Sequence, residues 1–259
     1  MSGVGAAEGG FSSAAGTSTR LRPTFARAAI GRLKELVRLG ADSQSSQVLS
    51  LESGSGILVG QLARAGLSCW ALAYQQALAV ELKRSLPQVR VASAALSALP
   101  IRSGGIELLC ISGGFEQGLT EIALAETRRV LRCGATLAQV INLVDGSVPW
   151  VQNLAALTPS AGSRSQGLEA QGLEAQGLEA QQVSACFAEP TVELFQNSVP
   201  SSVDHELDRL RADLHAAAMA PELQIGVLAA AKEILTAQAD SSGSLERPQH
   251  TVLRYWRAV

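Results

Sequence analysis

The sequence predicts an α/β fold: a doubly wound, mostly parallel sheet closed by an antiparallel C-terminal strand. Three observations carry this expectation. Short apolar runs alternate with amphipathic helical stretches from Val48 to Leu143. The run Ile106-Glu107-Leu108-Leu109-Cys110-Ile111 is almost continuously apolar, as a strand covered on both faces is. Gln47 to Leu51 breaks into Glu52-Ser53-Gly54-Ser55-Gly56 and resumes as Ile57, Leu58, Leu62 and Ala65 at helical spacing. That is a strand, a tight turn and a helix, the opening half of a βαβ unit. Its glycines let the backbone pass close to a ligand, at which the unpaired N–H groups of the new helix then point. The plain structural alternative is a turn in which Gly54 and Gly56 relieve crowding.

Composition narrows the class. Of 259 residues, 47% are hydrophobic, inside the usual range of about 45–50%, and 17% are charged against a typical value of roughly 25%. One large domain with a low-charge surface fits these figures best. The formal net charge of −2 gives no field that would favour nucleic acid or an acidic membrane. No apolar run approaches the ~18–20 residues that span a bilayer, so the reading is a soluble, cytoplasmic protein. An acid-poor stretch from Gly9 to Lys34 with Arg20, Arg22, Arg27 and Arg32 makes an organelle the alternative. Cys69, Cys110, Cys133 and Cys186 are far apart with no C-x-x-C pair and read as reduced core cysteines. His205, His215 and His250 lack ligand spacing, and no metal site is expected.

In chain order, Met1 to Thr19 is Gly, Ser, Ala and Thr with one acid, Glu8, and reads as a tail too polar to fold. Residues 20–259 form the domain. Phe25, Ile30, Leu33, Leu36 and Val37 mark a first amphipathic helix. After the glycine turn come a strand at Cys69 to Ala73, a helix from about Ala77 to Ser85 and a strand at Arg90 to Ala92. The strand at Ile106 to Ile111, a helix at Leu119 to Leu131 and a strand at Thr136 to Leu143 follow. An insertion at 159–182 contains three copies of Gln-Gly-Leu-Glu-Ala. Were it helical, a five-residue step would turn each leucine by roughly 140°, so Leu168, Leu173 and Leu178 share no stripe. It reads as an exposed loop. Val192 to Gln196 alternates like a strand, Asp204 to Met219 and Glu222 to Gln238 read as helices, and Thr251 to Trp256 as the closing strand.

Taken in order, several stretches resemble one family. They are Arg22-Pro23-Thr24-Phe25, the V-L-x-L-x-x-G-x-G turn from Val48 to Gly56, and Ala98-Leu99-Pro100. Further on come Ala123-Leu124-Ala125-Glu126 with Arg129-Val130-Leu131-Arg132, Val148-Pro149-Trp150-Val151, and Tyr255-Trp256-Arg257. From about Arg20 to Val259 the chain resembles the class I S-adenosylmethionine-dependent methyltransferases, in particular the methyltransferase type 11 branch. The resemblance implies a Rossmann-like sheet and S-adenosylmethionine as cofactor. Its cofactor positions fall here on Ser50, Glu52, Ser53, Gly54, Ser55, Gly56, Ala73, Tyr74, Ala95, Leu96 and Ser112.

At those positions the sequence departs from the family pattern. Ser50 stands where the family has an acid, and Glu52 where it has the first glycine. A glutamate there adds bulk beside the cofactor's methionine portion and repels its carboxylate. Ala73 replaces the acid that accepts hydrogen bonds from the ribose, and Leu96, beside Ala95, replaces the acid on the adenine side. Glu116-Gln117 occupies the place of a substrate-facing His-Trp pair, making Glu116 the candidate base, and Trp150 a candidate wall of the acceptor pocket. Methyl transfer from a sulfonium needs alignment and exclusion of water more than acid–base help, so no triad is sought. The expected activity is methyl transfer to a small-molecule acceptor. The alternative is an inactive protein of the same fold serving as an interaction or scaffold module; a nicotinamide-dependent oxidoreductase is a third, more distant reading.

Overall fold

The computed structural model describes residues 23–39, 47–52, 56–112, 120–157, 186–216 and 219–259. The N-terminal tail and the Gln-Gly-Leu-Glu-Ala insertion expected from the sequence lie outside these residues. Within them, seven strands form one sheet. Its members are β1 (Gln47–Glu52), β2 (Ser68–Ala73), β3 (Arg90–Ser93), β4 (Ile106–Ser112), β5 (Leu131–Val144), β6 (Thr191–Gln196) and β9 (Gln249–Arg257). Their order is β3-β2-β1-β4-β5-β9-β6. Pairings from β3 to β5 are parallel, and β9 runs antiparallel to both β5 and β6. This is the doubly wound α/β sheet with an antiparallel C-terminal strand that the sequence predicts.

Alternation along the strands builds two cores. Val48, Cys69, Ala71, Ala73, Leu108, Cys110, Val140, Leu253 and Tyr255 face one side. That side is covered by α1 (Arg27–Leu39), α2 (Ile57–Arg64) and α3 (Gln76–Ser85). Leu49, Leu51, Leu72, Leu109, Ile111, Leu137 and Trp256 face the other, under α4 (Glu121–Val130). Burying each large apolar side chain is worth about 1.5–3 kcal/mol, so the central strands hold both helical layers in place. α4 is capped by Thr120, whose hydroxyl accepts from the Ala123 N–H at 3.3 Å. It stops at Val130, because Leu131 is already extended (φ −74°, ψ 136°) and opens β5. β5 is therefore longer than the predicted Thr136 to Leu143, and the helix shorter than Leu119 to Leu131.

The remaining elements are α5 (Pro149–Ala156), β7 (Val199–Ser202), α6 (Val203–Ala216), α7 (Pro221–Thr236) and β8 (Ser244–Arg247). They lie between the end of β5 and the start of β9, which the register places at the carboxyl edge of the parallel strands (Val144↔Gln249). They form a cap with its own core of Leu207, Leu210, Leu214, Ala231, Leu235 and Leu245, against which Trp150 and Leu154 pack. The antiparallel β7–β8 pair and α5 are absent from the sequence prediction. Val-Pro-Ser-Ser carries no strand pattern, and Pro149 at the first helical turn is the one start signal of an eight-residue helix. Cys69 and Cys110 are buried as expected, but Cys133 is exposed and Cys186 half-buried, so these two are not buried core residues; none of the four is in a disulfide.

The motif residues before β4 and on α4 act as one fastener. Glu126 accepts from the Leu99 N–H at 2.9 Å and pairs with Arg129 at 2.6 Å. Arg129 also donates to the carbonyls of Leu99 (3.1 Å) and Ile101 (2.9 Å). The bond from Arg129, followed by that from the Leu99 N–H, holds the Glu126 carboxyl below its ordinary value of 4.5. A carboxyl depressed by folding stabilises above its unfolded pKa, and that contribution fades as pH falls through the folded one. Glu126→Gln is expected to cost about 1 kcal/mol near neutral pH, allowing for the exposed part of Arg129. In denaturant titrations the gap between wild type and variant should close as pH is lowered below about 4.5; a gap independent of pH would contradict this assignment.

Candidate functional site

The strand order reverses between β1 and β4, and in doubly wound sheets ligands bind in a crevice beyond the carboxyl ends of the strands at such a point. Parallel registers bring the strand ends level. Glu52 of β1 pairs with Ala73 of β2, Ala73 with Ser93 of β3, and Leu51 with Ile111 of β4, next to Ser112. Four of the predicted residues, Glu52, Ala73, Tyr74 and Ser112, thus share the edge where a ligand would sit. Tyr74 is 55% exposed just past β2, and Gln75 Nε2 donates to its hydroxyl at 3.3 Å. Ala95 and Leu96 follow β3; the Ala95 carbonyl accepts from the Ala98 N–H at 3.1 Å, and Leu96 leans on the second core.

Two predicted positions lie deeper. Ser50 has no exposed surface; it sits inside β1 between Ala71 and Cys110. Ala73 also has none, and its methyl group belongs to the first core, while its carbonyl accepts from the Ala94 N–H at 3.3 Å. The place of the ribose-binding acid is therefore filled by packed hydrocarbon. Ser53, Gly54, Ser55 and Glu116, like the side chain of Glu52, lie outside the described residues.

Gly56 begins α2 in the left-handed region at φ 68°. A Cβ on it would stand 2.5 Å from Leu82 Cδ2 and 2.9 Å from Leu86 Cδ1, both at the end of α3 or just past it. Both features demand glycine, so at this position the reason is backbone conformation and the approach of two helices. No side chain caps the start of α2, since its N-cap residue is a glycine with none to offer.

The carboxyl edge also holds polar residues that periodicity does not reveal. Gln61 of α2 exchanges two hydrogen bonds with Phe25, accepting from its N–H at 2.9 Å and donating to its carbonyl at 2.8 Å. Asn142 of β5 donates to the Thr24 carbonyl at 3.0 Å, Asn197 to the same carbonyl at 2.7 Å, and Thr251 of β9 accepts from the Ala26 N–H at 2.8 Å. Gln249 is 3% exposed, and its Nε2 has no partner. Trp150, half-buried, packs against the core of the cap. Among the described residues no group of three His, Cys, Asp or Glu side chains could hold a metal ion.

Comparison with known proteins adds to this geometry. No family model matches the chain. Over 117 residues, 44% of its length, it is 32% identical to an uncharacterized methyltransferase of Schizosaccharomyces pombe, and the match spans 46% of that relative. A proposed type II methyltransferase of Anaeromyxobacter dehalogenans aligns over 92% of this chain and 97% of its own, with a TM-score of 0.60 and 19% identity. A proposed sarcosine dimethylglycine methyltransferase of Galdieria sulphuraria aligns over 91% of each chain, with a TM-score of 0.48 and 14% identity. The chain has a methyltransferase fold, and the similarity to class I methyltransferases read from its sequence holds at that level.

Two substitutions test the packing of the edge. Gly56→Ala should cost about 2 kcal/mol or more in chemical denaturation, since left-handed backbone alone costs 1–2 kcal/mol and the new methyl meets Leu82. Ala73→Asp should lower stability by about 3 kcal/mol, because it places a carboxylate among apolar atoms. A stability equal to wild type would mean that this position opens to solvent.

Proposed function

We propose that the protein is an S-adenosylmethionine-dependent methyltransferase of the type 11 branch that acts on a small-molecule acceptor. The observation that supports this most is the reversal of strand order between β1 and β4, with the glycine-initiated α2 opening beside it, in a chain similar to a methyltransferase. The cofactor, when bound, supplies an activated methyl group on a sulfonium. The chain supplies alignment and shelter. Backbone amides at the start of α2 face the crevice, Tyr74 offers an exposed ring and hydroxyl beside the ribose side, and Ala95 and Leu96 offer an apolar adenine side. Ser112 lies at the β4 end and Glu116 follows it as the candidate base. The cap, built from elements between β5 and β9 at the same edge, provides the wall that excludes water from the acceptor. No helix among the described residues is long and apolar enough to cross a membrane; a cytoplasmic location belongs to this reading, with an organelle as alternative.

A second reading has its own observation. The buried Ala73 leaves the ribose without its acidic partner, as a fold retained for interaction or scaffolding after loss of catalysis would. Losing a charge-assisted hydrogen bond costs roughly 1.5–3 kcal/mol, about ten- to a hundredfold in affinity, which weakens a methyltransferase without abolishing it. Isothermal titration of the full chain with S-adenosylmethionine and S-adenosylhomocysteine separates the two. Dissociation constants of about 1–100 µM are expected for the enzyme. No heat from either compound at protein concentrations of about 100 µM would favour the non-catalytic module.

A further inference from the structure

Residues Pro23 to Ala26 form no helix or strand, yet five of their backbone groups are held by side chains from four distant places. Gln61 of α2 takes both the N–H and the carbonyl of Phe25. Asn142 of β5 donates to the carbonyls of Pro23 (3.3 Å) and Thr24 (3.0 Å). Asn197, beyond β6, donates to the Thr24 carbonyl (2.7 Å) and to Asn142 Oδ1 (3.1 Å). Thr251 of β9 accepts from the Ala26 N–H (2.8 Å) and donates to Asn142 Oδ1 (2.6 Å). Donors and acceptors match throughout, and each amide has a single orientation that satisfies the network.

Attachment of α1 does not need this network. Its apolar face, Ile30, Leu33, Leu36 and Val37, is already buried in the first core. Arg32 further binds Glu193 of β6 at 2.9 Å and the Tyr255 hydroxyl at 3.0 Å. The network instead joins α2 to β5 and β9. Gln61 lies five residues after Gly56, on the helix that starts at the glycine turn, while Asn142 and Thr251 pair at the carboxyl edge on the same face as Ser112. The strap therefore ties the helix that starts at Gly56 to the two strands that pair at the carboxyl edge.

We infer that Gln61 is a positioning residue for the cofactor crevice: through the Pro23–Ala26 strap it fixes α2, and with it the glycine turn, relative to β5 and β9. This rests on the methyltransferase reading. Docking of the strap and binding of an adenosyl ligand are then linked, and linkage is reciprocal: what loosens the strap weakens the ligand by the factor by which the ligand tightens the strap.

The test uses the full chain with S-adenosylhomocysteine as probe. Titration calorimetry reads affinity, and hydrogen exchange reads the amides of Phe25 and Ala26, whose acceptors are Gln61 and Thr251. Gln61→Ala is expected to bind at least tenfold more weakly and to exchange faster at Phe25, and the ligand should slow that amide in the natural chain. Thr251→Val, which keeps side-chain shape, should act in the same direction. Arg32→Gln, which loosens α1 away from the crevice, should lower the melting temperature but leave affinity unchanged. Wild-type affinity in both Gln61→Ala and Thr251→Val, or a weakening of the same size in Arg32→Gln, overturns this inference alone. Absence of binding by the natural chain overturns the functional reading and this inference with it.

Discussion

The parallel pairing of β1 with β4, Val48↔Leu108 through Leu51↔Ile111, is the contact on which the remaining architecture depends. These residues have almost no exposed surface, so every backbone N–H and C=O of the pair must be used within the sheet. Side chains on both faces must likewise be covered. Coverage from one side comes from α1 to α3 and from the other by α4, and the chain reaches both only by reversing its winding at this pair. The reversal also marks the place, beyond the carboxyl ends of β1 and β4, where doubly wound sheets hold their ligands.

Most of the motif residues that carry the family resemblance turn out to fasten this frame. Glu126 and Arg129 clasp the segment ahead of β4; Tyr255 donates to Glu193 at 2.9 Å and accepts from Arg32; Pro23, Thr24 and Phe25 are held through their backbones. Such groups are paired over long sequence separations and are costly to lose one at a time, because the partner left behind stays buried without a bond. Their persistence preserves the fold. It says little about any ligand, because the positions that the resemblance assigns to the cofactor, Ser50, Glu52, Ala73 and Leu96 among them, are where the family pattern is broken.

What was legible in the sequence follows the same division. Strands with two buried faces announce themselves as apolar runs, and Ile106 to Ile111 is read correctly because its apolar side chains enter the cores on both faces of the sheet. The helices α1 and α4 follow from their 3.6-residue stripes. The junction at Leu131 is not legible, because Val130 and Leu131 are equally apolar and only the extended backbone of Leu131 marks the change. The β7–β8 pair is invisible for another reason. Apart from Val199 and Leu245 its residues are polar or proline, and it is stabilised by contacts made far along the chain, such as Arg247 with Glu206 at 3.3 Å, both nearly buried. Ala73 shows the limit at the site: its chemistry, a lost acid, is read from sequence, but that the methyl group belongs to the core is seen only once β2 is packed.

Gln61, Asn142, Asn197 and Thr251 carry this point to the edge of the crevice. Each is unremarkable in its own segment: Gln61 is a polar residue on an amphipathic helix, and Asn142 and Thr251 are ordinary members of alternating strands. Their relation arises because β5 and β9 pair antiparallel, placing Asn142 opposite Thr251, and because α2 returns over the same face. Amide side chains suit this task, since one group both donates and accepts and so imitates the backbone partner that a loop lacks. A four-residue strap with its backbone bonded in this way has few conformations to explore, and it transmits a shift of α2 to β5 and β9 without a large movement of either. For the methyl transfer proposed above, a reaction governed by alignment, control of that relative position is the contribution that side chains remote from the reacting group can make.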